Sequence, residues 1–529
     1  MSLTMEGVLA LAPDDASAKA ARGLTSPAKW PLLGANESAL WGECQGSGSK
    51  PYQTQVDLSG PAFKCSCPSR KFPCKHGLAL LLMRVQTAAS LSATEPPAWV
   101  AEWLLSRHER AEKKEERDRD TTHRAEARAA QRETGDADGA TDDASLKREA
   151  QRWQRIEAAA QELQRWLGDQ IARGLGALDA ASIQGWRTMA ARMVDAQAPG
   201  LGQRLQAAAD VWRQGADWPE RMIVQLGLLQ LATEALTRRE QLPAPVQADL
   251  RTLCGWPVDQ ADVLASGERV DDRWAVLAAV IEEREGRLME RRVWLQGEQT
   301  GRRAWLLEHA HGGKGFNGLW VPGTAVAATL ATFPGASPMR ALVVQRQEEG
   351  DALNLQPMTV APPQLSAHLP TRVPAPAGKA VGVATPINSN TRRESTSDKG
   401  RDSASGISLA STSDPTTDLN TDLTIDLPTD PWAAEWQRVA ERIAAHPFVL
   451  LHPMVLTDAV AVVTEAGAQL QAGGQSLPLS MGEQERWLLM AASGGHPMTV
   501  AGEWDGERLL PLTAWSGADP RPIWIRSQA

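Results

Sequence analysis

The stretch FKCSCPSRKFPCKHGLALLL, residues 63–82, places three of the chain's five cysteines and one histidine within a dozen positions. A local disulfide knot, a redox dithiol and a metal site compete to explain that density. Just upstream, Tyr52, Thr54, Val56 and Leu58 alternate onto one face, and the Ser59-Gly60-Pro61 turn follows, so the segment reads as a β-hairpin. Its second strand carries Phe63, Cys65 and Cys67 on a common face, because strand side chains alternate with period two. After Cys74 the spacing of Leu78, Leu81, Leu82 and Val85 marks one apolar face of a helix. The four donors therefore sit on a strand, a knuckle and a helix start.

Chemistry separates the three readings. Five cysteines is a sparse, odd count for 529 residues, and Met1–Pro13 lacks the basic leader and long apolar core of an export signal. This argues for reduced thiols and a cytoplasmic location rather than a disulfide framework. A thioredoxin-type site calls for Cys-x-x-Cys, which does not occur, and iron is the remaining competitor for the cluster. Cys65-x-Cys67 and Cys74-x-His76 supply three thiolates and one imidazole, the donor set of a closed tetrahedral zinc site with no position left for substrate. One structural zinc ion is expected, held by Cys65, Cys67, Cys74 and His76. Such a site contributes about 10–16 kcal/mol of apparent binding energy to the folding of a small unit.

The order Cys-x-Cys-x6-Cys-x-His resembles the SWIM zinc finger, and the block from Trp41 to Leu82 resembles its bacterial stand-alone version. The resemblance implies a ββα unit whose motif cysteines and histidine bind zinc. It also implies DNA-binding or protein-interaction roles, and as partners it suggests a MoxR-type ATPase or a von Willebrand factor A protein.

The rest of the chain divides by composition into a multi-domain α+β protein. A zinc-finger domain over 1–106 is followed by a charged linker, 107–144, with almost no large apolar side chain. A body over 145–360 is helical first, with Trp153, Ile156, Leu163 and Leu167, then Trp186, Met189 and Met193, then Met222, Ile223, Leu226 and Leu229 at helical spacing. It turns towards strands in RRVWLQGEQTGRRAWLLE, residues 291–308, two strands around a glycine-containing turn. Residues 361–430 are rich in Pro, Ser, Thr and Asp and read as a disordered tether. A C-terminal α+β domain, 431–529, opens with a helix and includes a hairpin in which Asp505-Gly506 suits a two-residue turn. No apolar run approaches the ~18 residues of a membrane span. The 20 tryptophans beside the single Tyr52 read as core residues.

Several other groups read as structural. Cys44 and Cys254 are expected to be small buried hydrophobes. His309 and His311, in EHAHGGKGF, lack a third ligand at useful spacing, and the glycines there suit a turn. The run DADGATDD, 136–143, begins like a calcium loop but lacks the later ligands. No Walker loop, catalytic triad signature or carboxylate pair is visible, so a non-enzymatic role is expected. The net charge of −9 confines any nucleic-acid role to a local patch. Lys50, Lys64, Arg70, Lys71, Lys75 and Arg84 face only Asp57 around the cluster, and Lys64, Arg70, Lys71 and Lys75 are the phosphate-contacting candidates. The reading is a zinc-binding interaction protein that engages a protein partner, with nucleic acid as the alternative ligand.

Overall fold

The computed structural model describes residues 5–116, 139–284, 288–311, 316–347, 356–367 and 430–526, apart from positions 13–14, 47, 49, 59–61, 70–72, 88–90, 92, 111, 114–115 and 317. In the N-terminal part, helices α1 (Met5–Ala10) and α2 (Asp15–Arg22) precede an antiparallel sheet of order β1-β2-β3-β4. Its strands are β1 (Leu32–Ala35), β2 (Ala39–Cys44), β3 (Tyr52–Asp57) and β4 (Ala62–Cys65). The expected hairpin is present as β3 and β4, with Val56 opposite Phe63 and Thr54 opposite Cys65. Helix α3 (Lys75–Gln86) lies on this sheet, burying Leu78, Leu81 and Leu82 against Leu40, Val56 and Leu58. Helix α4, residues 98–110, covers a second group of sheet residues, with Val100 and Leu104 packed on Ala39 and Trp41. Arg107 of α4 donates from Nε to Asp57 Oδ2 at 2.9 Å, so β3 is covered on both sides and its polar residues Gln55 and Asp57 are buried too.

The next part is a helical bundle of α5 (Gly139–Arg173), α6 (Ala180–Asp195), α7 (Pro199–Val211), α8 (Trp218–Thr237) and α9 (Ala244–Leu253). Its core contains Trp153, Ile156, Leu163, Leu167, Trp186, Met189, Met193, Met222, Leu226 and Leu229. Asp179 starts α6 as its N-cap, its carboxylate accepting from the Ser182 backbone N–H at 2.7 Å. Ile223 departs from its expected place: it is 57% exposed beside Val224 at 59%. Helix α8 is apolar all round, so helical spacing alone does not reveal which stripe faces inward.

After α10 (Gln260–Ser266) the chain forms β5 (Arg269–Arg284), β6 (Leu288–Gly297), β7 (Arg303–His311), β8 (Thr324–Thr332) and β9 (Arg340–Arg346). They pair in the order β8-β5-β6-β7-β9, and a further β8–β9 pairing closes the sheet into a five-stranded barrel. All pairs are antiparallel except β7 with β9. Trp274, Val276, Val293, Leu295, Leu306 and Leu330 fill the interior. Strand β10 (Gln356–Pro357) adds to the outside of β8, and α11 (Gln364–Ala367) follows.

The C-terminal part begins with α12 (Ala433–Ala445) and continues with β11 (His452–Thr464), β12 (Gly467–Ala472), β13 (Gln475–Pro478), α13 (Glu483–Ser493), β14 (Met498–Trp504), β15 (Leu509–Trp515) and β16 (Trp524–Ile525). The sheet order is β13-β12-β11-β14-β15-β16, and a parallel bridge from Leu479 to Leu509 brings the end of β13 to β15. This repeats the pairing scheme of the first barrel. The β14–β15 connection is a four-residue loop, 505–508, rather than a two-residue turn, because Asp505 Oδ1 accepts from the Glu507 and Arg508 N–H groups and pulls the chain round.

The two barrels share a core. Ala275, Leu277 and Trp294 of the first pack with Val455, Ala501, Leu512 and Trp515 of the second. The described residues up to 367 and those from 430 belong to one compact unit, so the C-terminal part is docked on the body. Most of that expected tether, 368–429, lies outside the described residues, as do 117–138 of the charged linker. The linker is helical at both edges, where α4 runs to 110 and α5 begins at Gly139. Among the described residues no helix is long and apolar enough to cross a membrane.

Candidate metal centre

The centre lies where β4 ends and α3 begins. Cys65 is the last residue of β4, Cys67 lies just past it, Cys74 is the N-cap of α3, and His76 is in the first turn of that helix. Their ligand atoms all fall within 4.8 Å of one another. His76 Nδ1 is 3.7 Å from Cys65 Sγ and 4.0 Å from Cys74 Sγ. A tetrahedron with zinc–sulfur arms of ~2.3 Å has edges of about 3.8 Å, so these separations fit one ion at the middle. The thiolates also sit at the amino end of α3, where the helix dipole favours negative charge.

The surroundings fix the ligands. Thr54, fully buried on β3, places Oγ1 3.1 Å from Cys65 Sγ, its register partner's sulfur. Ser66 ties the knuckle to β3 twice, accepting from Gln53 N–H at Oγ (3.0 Å) and donating its own N–H to Gln53 O (2.9 Å). Tyr52 and Trp30 pack on the His76 ring with centroids 5.3 and 6.5 Å away. Gly77 lets α3 approach β4: a Cβ there would stand 2.8 Å from Phe63 Cδ1. These outer contacts orient metal ligands and are part of the site.

The electrostatics are those of a thiolate cluster. Burial opposes charging of His76, but the Cys65 and Cys67 sulfurs beside it prevail and raise its pKa to about 9. Hydrogen bonds from Cys65 and Cys74 hold Cys67 well below the usual thiol range, whereas Cys65 and Cys67 push Cys74 up. In the absence of a cation Cys67, Cys74 and His76 thus compete for protons; a divalent ion replaces the protons and relieves the repulsion. Three thiolates and one imidazole are a zinc donor set, and the Cys3His cluster supports a structural zinc ion.

Cys44 is buried in the finger core outside the four-ligand cluster, its thiol raised by burial and then by Cys65. Cys254 is buried in the bundle, and desolvation pushes its thiol to about 12. His309 pairs across strands with Glu290 at 3.4 Å. Residues 312–315 of its glycine-rich loop lie outside the described residues, as do 136–138 of the calcium-like run, whose remainder opens α5. Of the phosphate-contacting candidates, Lys64 and Lys75 are exposed beside the centre, and Arg70 and Lys71 lie outside the described residues. Thr54 was legible only as one position on a strand face; its role depends on standing opposite Cys65.

Residues 52–84 match the SWIM zinc finger, and residues 151–254 match the SWIM-associated four-helix bundle domain. The first match contains all four clustered ligands, and the second spans the body of the bundle from α5 to Cys254. No curated protein and no solved structure matches the chain.

Proposed function

We propose that this chain is a non-enzymatic interaction protein in which zinc stabilises the finger and the docked surface belongs to a protein partner. The observation that carries this reading is the burial of α3: every residue from His76 to Met83 is buried. A helix enclosed in that way has no face to lay in a DNA groove, so the finger acts as a structural corner of the molecule. The bundle, by contrast, presents Ile223, Val224 and Leu231 along the outside of α8 with Gly227 among them, and exposed apolar stripes of this kind are sites of protein contact. Partners of the MoxR-type ATPase or von Willebrand factor A class, suggested by the resemblance, are the first to test.

The experiment is capture of such a candidate partner by the intact protein, its zinc-depleted form and an Ile223→Glu, Val224→Glu variant. Capture lost in the variant while zinc content and melting temperature stay unchanged supports the reading. Weak partner capture together with salt-sensitive duplex DNA binding that requires Lys64 and Lys75 would transfer the function to the nucleic-acid alternative.

A further inference from the structure

A second candidate site lies far along the chain from the zinc centre, on the outside of the first barrel. A cavity of about 560 Å³ opens between β6, β7, the loop 333–339, the end of the bundle and the segment 446–451. That volume is within the range of small-molecule sites. Its walls are aromatic and cationic. Trp294 and Trp305 stack with centroids 5.7 Å apart at 30°, and Phe333 lies under the Arg340 guanidinium at 4.3 Å. Arg204 reaches in from α7, donates from Nη2 to Phe448 O at 2.7 Å, and keeps its buried Nη1 without a hydrogen-bond partner. The carboxylate that lines the cavity, Asp249, is already engaged: Oδ2 accepts from Ala336 N–H at 3.0 Å and Oδ1 lies 3.6 Å from His446 Nε2. The remaining arginine, Arg292, is matched by Glu282, Glu290 and Glu503. Neither Arg204 nor Arg340 forms an ion pair among the described residues, although Glu290 acts on Arg340 at longer range, and the His446 beside Asp249 is uncharged near neutral pH; two guanidinium groups against one carboxylate leave the cavity positive on balance.

The topology gives this place a meaning that its composition alone would not. Counting β5 to β9 as strands one to five, the barrel closes in the order 1-2-3-5-4, with three and five parallel. Barrels of this kind take oligonucleotides on the outer face of strands two and three, flanked by the loop between strands four and five. The cavity is lined from those same elements: Trp294 on strand two, Trp305 on strand three and Phe333 in the four–five loop. The remainder of that face is covered, Gln296 donating to Leu365 O and Arg303 pairing with Glu435. What stays open fits a short unit rather than a long run of strand.

We propose that this cleft binds a nucleotide unit, with its base stacked on the Trp305–Trp294 platform and its phosphate held by Arg204 and Arg340. Bases stack on aromatic side chains whatever their identity, and guanidinium groups match phosphate oxygens in pairs. The same chemistry is offered by a free nucleotide and by the end of a single strand.

The test uses the full-length zinc-loaded protein, with ATP, thymidine 5′-monophosphate and a 5′-phosphorylated hexathymidylate as probes in calorimetric titration. Binding should weaken about tenfold or more in Arg340→Glu and in Trp305→Leu, the loss expected from one charge-assisted or stacking contact. Zinc content and melting temperature verify that each variant is folded, and Arg340→Glu decides alone where Trp305→Leu is not. Equal affinity for mononucleotide and hexamer assigns the free nucleotide; a hexamer at least tenfold tighter assigns a strand end, and either supports the site. The proposal is overturned if no probe binds at millimolar concentration, if Arg340→Glu binds as the parent does, or if pyrophosphate or a glutamate-rich peptide competes as well as the nucleotides.

Discussion

Arg303 of the first barrel and Glu435 of α12 face each other through two hydrogen bonds of 2.6 Å, Nη1 to Oε2 and Nη2 to Oε1, with the carboxylate fully buried. The pair joins segments 132 residues apart, and its polar atoms are otherwise satisfied by Gln296, Pro453 O and the Val455 N–H. This is how the C-terminal part is keyed to the body. Glu435 also lies 3.8 Å from Arg438 Nε and acts on the buried Arg442, so Glu435→Ala leaves several buried guanidinium groups without their carboxylate and should destabilise the protein by roughly 3–5 kcal/mol in urea unfolding, with Arg303→Ala costing less. The double variant Arg303→Met, Glu435→Leu should lose less than the sum of the singles, because neither Arg303 nor Glu435 is left facing an empty position and only Arg438 and Arg442 lose Glu435; a double variant as unstable as that sum would contradict this view.

Gly77 should resist any side chain. Its missing Cβ makes room for Phe63, and Gly77→Ala would force the ring and α3 apart at a 2.8 Å contact. Overpacking of this type costs about 1–3 kcal/mol, more than the gain in helix propensity of about 1 kcal/mol. Because β4 and α3 carry the zinc ligands, the variant should also bind zinc more weakly in competition with a chromophoric chelator. Phe63→Leu in the same chain should restore part of the affinity.

His452 predicts an acid-side instability. It is buried, and desolvation followed by the nearby Arg442 charge lowers its pKa to about 4, against a small opposing hydrogen bond involving Val449. With the folded value below the unfolded one of ~6.5, the unfolded chain binds more protons between those limits. The contribution is complete above pH ~6.5 and disappears as pH falls through about 4, on the order of 3 kcal/mol in all. His452→Gln should flatten the stability profile across that window. Part of the slope should remain, since burial and then Arg204 bring His446 to about 4 as well.

The zinc site was legible in the sequence because its four ligands fall within twelve positions and its elements are short-range: a hairpin, a knuckle and a helix start. The bundle was legible through Trp153, Ile156 and their successors, and Ile223 was misplaced because α8 is apolar on every side. The barrels escaped. Their closure depends on β7 meeting β9 and on Leu479 meeting Leu509, pairings set by three-dimensional register and invisible to local alternation. The docking of the C-terminal part escaped for the same reason: Arg303 and Glu435 look like surface charges until the fold buries them together. Arg204 likewise shows no local sign that it lines a cavity with Trp305.

The central claim, a closed Cys3His zinc site that organises the finger, is tested most directly by zinc-edge X-ray absorption on protein purified without added metal. The account predicts about one equivalent of zinc with three sulfurs near ~2.3 Å and one nitrogen near ~2.0–2.1 Å, contributed by Cys65, Cys67, Cys74 and His76. Cys74→Ser should lose the ion, and Cys44→Ser should keep it with the same spectrum. A spectrum with two sulfurs and a bound water, a four-sulfur shell that changes with Cys44→Ser, or full zinc retention by Cys74→Ser would contradict it.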